Sequence, residues 1–187
     1  MTDTALLLID LQNDYFKGGS APLVGSAEAV AQAAALLGAA RTAGLPIFHV
    51  QHLSVRPGAT FFVPGTAGAE IHPAVAPRSG ETLVQKNFPN SFRATTLLES
   101  LQAKGIKHLI VAGMMTHMCV DSSVRAAFDH GFKVTLAHDA CATKDLARGA
   151  ATLPAATVHD AFIAALHGLF CDARTSAEIS ATLTKPA

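Results

Sequence analysis

The sequence predicts a three-layer α/β fold, with a six-stranded parallel sheet covered by helices on both faces. Three observations predict it. Short apolar runs alternate along the chain with longer helical patterns, which is how right-handed βαβ crossover units read. The first run, residues 4–9 (TALLLI), is apolar at every position after Thr4. It does not alternate, as expected of a strand buried on both faces. The intervening segments are Ala-rich and close on Gly44, Gly105 and Gly131, residues suited to a helix C-terminal turn.

In chain order, the strand over 4–9 ends at Asp10. Ser26 caps a helix that runs to residue 43, and after Pro46 a second strand covers 47–52. Residues 54–80 are rich in Gly, Pro and Phe and too long for an ordinary connection, so they form a functional loop or an oligomer contact. A third strand is expected over 82–85, a helix over 95–104, and a fourth strand over 108–112 that ends in Gly113. A helix over 119–130 and a fifth strand over 133–137 follow. Pro154 starts a helix to residue 167, and residues 169–173 make the sixth strand. Thr175 and Glu178 have the spacing of a capping box for a last helix.

The length of 187 residues fits one domain, spanning 1–187. Half of the residues are hydrophobic, which excludes a disordered chain. Fourteen Lys and Arg balance fourteen Asp and Glu, so no basic excess exists to neutralise phosphates, and nucleic acid is not an expected partner. Only 15% of residues are charged, against about a quarter in ordinary soluble domains. Low charge with no net charge favours self-association. A homo-oligomer, dimer or larger, is therefore expected, with the sparsely charged helices over 26–43 and 154–167 as packing faces. The most apolar stretch, 27–43, contains Glu28, Gln32 and Arg41 and is not a membrane span. Met1-Thr2-Asp3-Thr4 lacks the basic region of a signal peptide, and three cysteines without a CxxC pair fit a reduced chain. A cytoplasmic location is the expectation.

In parallel sheets, ligands bind beyond the carboxyl ends of the strands. The residues placed there are Asp10, His52, Lys86 and the segment from Gly113 to Cys119. Cys119 falls where a loop becomes a helix, and a helix N-terminus lowers a thiol's pKa. Taken singly, each residue has an ordinary explanation: a buried cysteine, a turn-capping Asp10, a solvated Lys86. Asp14, in the same loop as Asp10, is better suited to a structural role. Together at three strand ends they form a chemical set, because a carboxylate can accept the thiol proton and an ammonium can hold the thiolate.

Three segments in this order, Leu8-Ile9-Asp10-Leu11-Gln12-Asn13-Asp14, Lys86-Asn87-Phe88-Pro89-Asn90-Ser91-Phe92 and Gly113-Met114-Met115-Thr116-His117-Met118-Cys119-Val120-Asp121, resemble those of the isochorismatase-like cysteine hydrolases. That family includes nicotinamidases and N-carbamoylsarcosine amidase. The resemblance covers residues 4–173 and implies a Rossmann-like sheet and an oligomer. It implies a triad of Asp10, Lys86 and Cys119, in which Cys119 attacks a carbonyl, Asp10 moves the proton and Lys86 holds the thiolate. It also implies a cis Met114–Met115 peptide bond, with the backbone N–H groups of Met115 and Cys119 binding the oxyanion. Isochorismatases proper lack the nucleophilic cysteine, so Cys119 places the chain in the amidase-like branch. Nicotinamidases carry an Asp-x-His metal site after the second strand. Here that region reads His49-Val50-Gln51-His52-Leu53-Ser54, without Asp-x-His, so neither a metal nor another cofactor is expected.

Ten Phe against one Tyr and no Trp is an unusual balance, and several of the Phe fall in these loops. The expected pocket lining is Gln12, Phe16, His52, Phe61, Phe62, Phe88, Phe92, Met115 and His117. An apolar pocket with few polar groups suits a small amide or a neutral ring compound. The expected function is hydrolysis of a C–N bond, amide or carbamoyl, in a small molecule through a thioester. The alternatives are a non-enzymatic oligomeric scaffold of the same fold and a hydrolase of a non-amide substrate. A nucleotide-dependent oxidoreductase needs a Gly-rich loop after the first strand. Residues 10–14 contain no glycine and two carboxylates.

Overall fold

The computed structural model describes residues 3–183. The strands are β1 Thr4–Ile9, β2 Ile47–His52, β3 Thr82–Lys86, β4 His108–Met114, β5 Lys133–Ala142, β6 Leu146–Arg148, β7 Ala151–Leu153 and β8 Asp172–Arg174. The α-helices are α1 Ser26–Thr42, α2 Leu97–Ala103, α3 Asp121–Asp129, α4 Ala155–Leu166 and α5 Ser176–Thr182. Six strands form one sheet in the order β3-β2-β1-β4-β5-β8, and every pairing in it is parallel. This is the doubly wound order, whose direction reverses between β1 and β4.

β1 explains why its sequence does not alternate. Ala5, Leu7 and Ile9 enter the core on one sheet face with Leu97 and Leu101 of α2, Val124 and Ala127 of α3, and Leu166 of α4. Leu6 and Leu8 enter the core on the other, with Ala29, Ala33, Leu36, Leu37 and Ala40 of α1 and Ile179 of α5. Each large aliphatic side chain so buried contributes about 1.5–3 kcal/mol.

Several element ends differ from the sequence expectation. α1 is preceded by Gly25 in the left-handed region (φ 74°), and Ser26 is its first helical residue, with Oγ donating back to the Leu23 carbonyl. α3 starts at Asp121, because residues 116–120 form a wider π-helical turn ahead of it. β5 runs five residues past the expected end. The register with β4 shifts between Val111 and Gly113, and pairing resumes at Gly113–Cys141 and Met114–Ala142. The β6–β7 hairpin was not anticipated; it turns at Gly149 (φ 61°). The last strand covers 172–174 instead of 169–173. Residues 168–171 form a turn instead, in which the Gly168 N–H donates to the Cys171 carbonyl. The capping box of Thr175 and Glu178 is present as expected.

The long segment 54–80 is pinned at its end by Glu81. Arg41 of α1 donates to both Glu81 carboxylate oxygens (2.7 and 2.9 Å) and to the Ala76 carbonyl (2.9 Å). The Arg78 N–H and His49 Nε2 also meet Glu81 Oε2. Burial lowers the His49 pKa, and Nε2 donates to the carboxylate, which can only accept. The Arg41 hydrogen bonds hold the Glu81 carboxyl down at about 2. A depressed carboxylate pKa contributes stability above its unfolded value of about 4.3, and that contribution is lost as pH falls through the folded value. Glu81→Gln is therefore expected to lower stability by about 1–3 kcal/mol at pH 7. Urea unfolding across pH should show the difference from the parent shrinking between about pH 4.5 and 2.

Candidate active site

The two strands at the reversal point can approach closely because β4 carries Gly113 just before its last residue, Met114. Gly113 holds φ 140°, and a Cβ there would lie 2.0 Å from the Ile9 carbonyl oxygen. Asp10 follows directly, in the left-handed region at φ 51°, with its N–H on the Val50 carbonyl (3.0 Å) and its side chain fully buried. Lys86 is the last residue of β3 and lies in register with His52, the last of β2. Cys119 sits in the π-helical turn after β4. Topology thus gathers four strand ends at one point.

Lys86 Nζ is the centre of the cluster. It forms an ion pair with Asp10 Oδ2 at 2.7 Å, and it donates to His52 Nδ1 at 2.9 Å, the Phe88 carbonyl at 3.1 Å and Cys119 Sγ at 3.3 Å. An ammonium has three hydrogens, so four acceptors share them. Among the described residues neither Asp10 oxygen accepts a hydrogen bond of good angle, so its contact with Lys86 is that of an ion pair. Burial works to lower the Lys86 pKa, but the neighbouring Asp10 and Cys119 outweigh it and the net shift is upward. The ion pair with Asp10 thus favours the charged form of Lys86.

Cys119 departs from the sequence expectation. Burial, and then the Asp10 charge, push its thiol pKa upward, and Lys86 offsets this only in part. The residue lies inside a sealed turn rather than at an open helix N-terminus, so the resting group is a thiol. An acceptor within reach is therefore required before it can act as a nucleophile. Asp10 supplies one, since the ligand-capable atoms of Asp10, His52 and Cys119 all lie within 4.8 Å of one another. Those three side chains have the composition of a metal site. The Lys86 ammonium stands against all three at 2.7–3.3 Å, and that fixed positive charge does not fit a cation held between them.

The other expected site residues divide. His52 belongs to the cluster, and Phe88 meets Lys86 through its carbonyl while Arg93 covers its ring at 3.8 Å. The Met114–Met115 bond is cis, as the resemblance implies, and the buried Met115 begins the turn that carries Cys119. Gln12 is corrected. Its amide donates to the His52 and Ala69 carbonyls and accepts from the His52 N–H, so it clamps backbone and has no donor left for a ligand. Phe92 is also corrected: it is a core residue, packed on Phe132 and His130 below the sheet end. Phe16 stacks on His72 over a separate surface cavity, lined also by Asn13, Lys17 and Thr66. Phe61 packs against Tyr15 and Phe62, and Phe62 in turn lies beside His52. Asp14 has the structural role expected of it, accepting from the N–H groups of Ser20 and Phe62.

His117 pairs with Thr143 rather than turning toward the cluster, and its ring meets Phe162. With the bond between Thr116 and His159 of α4 (3.0 Å), it braces the turn that carries Cys119. The sequence carries no local sign of His159 or Thr143, because both reach the turn only through the folded chain.

Residues 4–178 match the family model for the isochorismatase domain. An isochorismatase family protein of Bacillus subtilis is 47% identical over 173 residues, covering 92% of this chain and 96% of its own. A maleamate amidohydrolase of Pseudomonas putida is 35% identical over 150 residues, covering 72% of this chain and 70% of its own. The crystal structure of an isochorismatase from Pseudomonas putida superimposes with a TM-score of 0.89 at 40% identity, covering 94% of this chain and 89% of that one.

A buried ion pair costs most when one partner alone is removed. Lys86→Met and Asp10→Asn are each expected to destabilise the protein by about 3–5 kcal/mol. The double substitution should cost clearly less than the sum of the two, as read from urea unfolding of the four proteins.

Proposed function

The chain belongs to the isochorismatase family of hydrolases, and on that premise we propose that it cleaves a C–N bond, amide or carbamoyl, of a small molecule through a thioester on Cys119. One observation carries the reading. A buried carboxylate, an ammonium and a thiol meet at the carboxyl ends of the strands. A family relative acting as a maleamate amidohydrolase supports C–N cleavage.

In this reading the thiol proton passes to Asp10 as Sγ forms a bond to the carbonyl carbon. The carbonyl oxygen becomes an oxyanion held by the backbone N–H groups of Met115 and Cys119, an arrangement worth about 10²–10³ in rate per donor. Lys86 carries the charge balance for the sulfur throughout. The C–N bond then breaks, and Asp10 returns the proton to the departing nitrogen. Water attacks the thioester, giving up a proton to Asp10. The acid leaves, and the proton goes back to Sγ.

A homo-oligomer working in the cytoplasm belongs to the same proposal. Met118, Phe128, Leu153 and Leu169 are exposed apolar side chains that another copy would cover. The three cysteines are free, and among the described residues no helix is long and apolar enough to cross a membrane.

Cys119→Ala removes the nucleophile while leaving a side chain of similar shape. Ammonia release from a panel of small amides, ureas and carbamoyl compounds should fall by at least about 10³-fold. The unfolding midpoint should stay near that of the parent. Turnover surviving in this variant overturns the mechanism.

A further inference from the structure

His52 has a feature that the proposed reaction does not use. Its Nδ1 accepts from Lys86 Nζ at 2.9 Å, and an ammonium can only donate, so a neutral ring must carry its proton on Nε2. Burial, with the Lys86 charge beside it, pulls the imidazole pKa down to about 4, so the ring is neutral in neutral solution. The Nε2–H has no protein acceptor among the described residues, and it is not one of the sealed, unpartnered polar atoms. The His52 side chain is 15% exposed, whereas Asp10 and Lys86 are 0%. His52 is therefore the member of the cluster that presents a polar hydrogen toward solvent. The ring is also fixed. Gln12 holds its backbone N–H and carbonyl, and the buried Phe62 lies 5.8 Å away, centroid to centroid.

We infer that His52 Nε2–H is a substrate-binding donor, and that the substrate carries a hydrogen-bond acceptor (a carbonyl, a carboxylate or a ring nitrogen) next to its scissile carbonyl group. The inference rests on the amide-hydrolase reading for the word substrate, and on the geometry alone for the donor. A neutral donor beside a cation accepts either a neutral or an anionic acceptor, and it gives nothing to a purely alkyl substituent. Sites built around a buried donor reject analogues that lack the matching acceptor, because the donor is then left unpaired.

The test separates the donor from the hydrolase reading by using the thiol's own chemistry. Cys119 is alkylated with iodoacetamide, which places a carbonyl oxygen beside the reacting carbon, and with iodoethane, which does not. Rates for the parent, His52→Gln and His52→Leu are read by mass spectrometry of the Cys119 peptide and normalised to a free thiol. The parent is expected to favour iodoacetamide by about tenfold beyond the free thiol. Gln offers an acceptor to Lys86 and a donor outward, so His52→Gln should keep the preference and His52→Leu should lose it. Equal slowing of both reagents in His52→Leu overturns the inference, since His52 would then act only through Lys86. No selectivity in the parent overturns it as well. If His52→Leu does not fold, the parent's own ¹⁵N-imidazole spectrum decides. The Nε2 resonance should move on titration with acetamide, and an unmoved resonance overturns the inference. Ammonia release from amides with and without a neighbouring acceptor is measured in parallel. Failure of every amide sinks the hydrolase reading and leaves the alkylation result standing.

Discussion

One ammonium group, buried beyond the reach of water, sets the terms for the rest of this structure. A lysine that is 1% exposed is tolerable only if its charge is balanced and its hydrogens are used. Lys86 meets both conditions by drawing Asp10, His52, Phe88 and Cys119 around it. Those partners come from the ends of β1, β2 and β3 and from the turn after β4, so balancing the charge also fixes how these segments end. The left-handed Asp10 serves the same requirement, since its carboxylate at the end of β1 must reach an ammonium at the end of β3, with β2 between them.

Around this centre the protein uses uncharged amides as fasteners. Gln51 donates to the Ala69 carbonyl and accepts from Gln85, while Gln12 joins Ala69 to His52. A long segment whose only regular structure is two short 3-10 turns is thereby tied to the ends of β1 and β2 by uncharged groups. The shifts at His52 and Cys119 come first from burial and then from the charges of Lys86 and Asp10. The turn bearing Cys119 is held from the opposite side by Thr116–His159 and His117–Thr143, so helix α4 and the strand end at β5 share in locating the sulfur.

The layered sheet was legible in the sequence because it is a property of hydrophobic runs, and these are local. β1 and β2 were placed to the residue, and the meeting of Asp10, Lys86 and Cys119 could be anticipated because the carboxyl ends of parallel strands are where side chains converge. Element ends were less legible. β5 continues through His138 and Asp139, polar residues that look like a strand terminus, because its partner β4 changes register beside them. The roles of Gln12 and Phe92 were misjudged for a related reason. Proximity in sequence to a motif does not show what a side chain contacts: Gln12 is spent on backbone groups, and Phe92 packs in the core with Phe132 and His130. The direction of the Cys119 shift depends on how completely the turn is closed off, which no residue pattern encodes.

The buried trio of Asp10, Lys86 and Cys119 has one more property. With the thiol protonated it sums to zero charge: one anion, one cation and one neutral group. Moving the proton from sulfur to oxygen exchanges the atom that bears the negative charge and leaves the sum at zero. Desolvation penalises changes in the total charge of an enclosed volume far more than it penalises shifting a charge by a few ångströms within it. The interior can therefore stay dry through such a transfer, with no counter-ion entering or leaving. The site is electroneutral by composition, as the whole chain is, with fourteen charges of each sign.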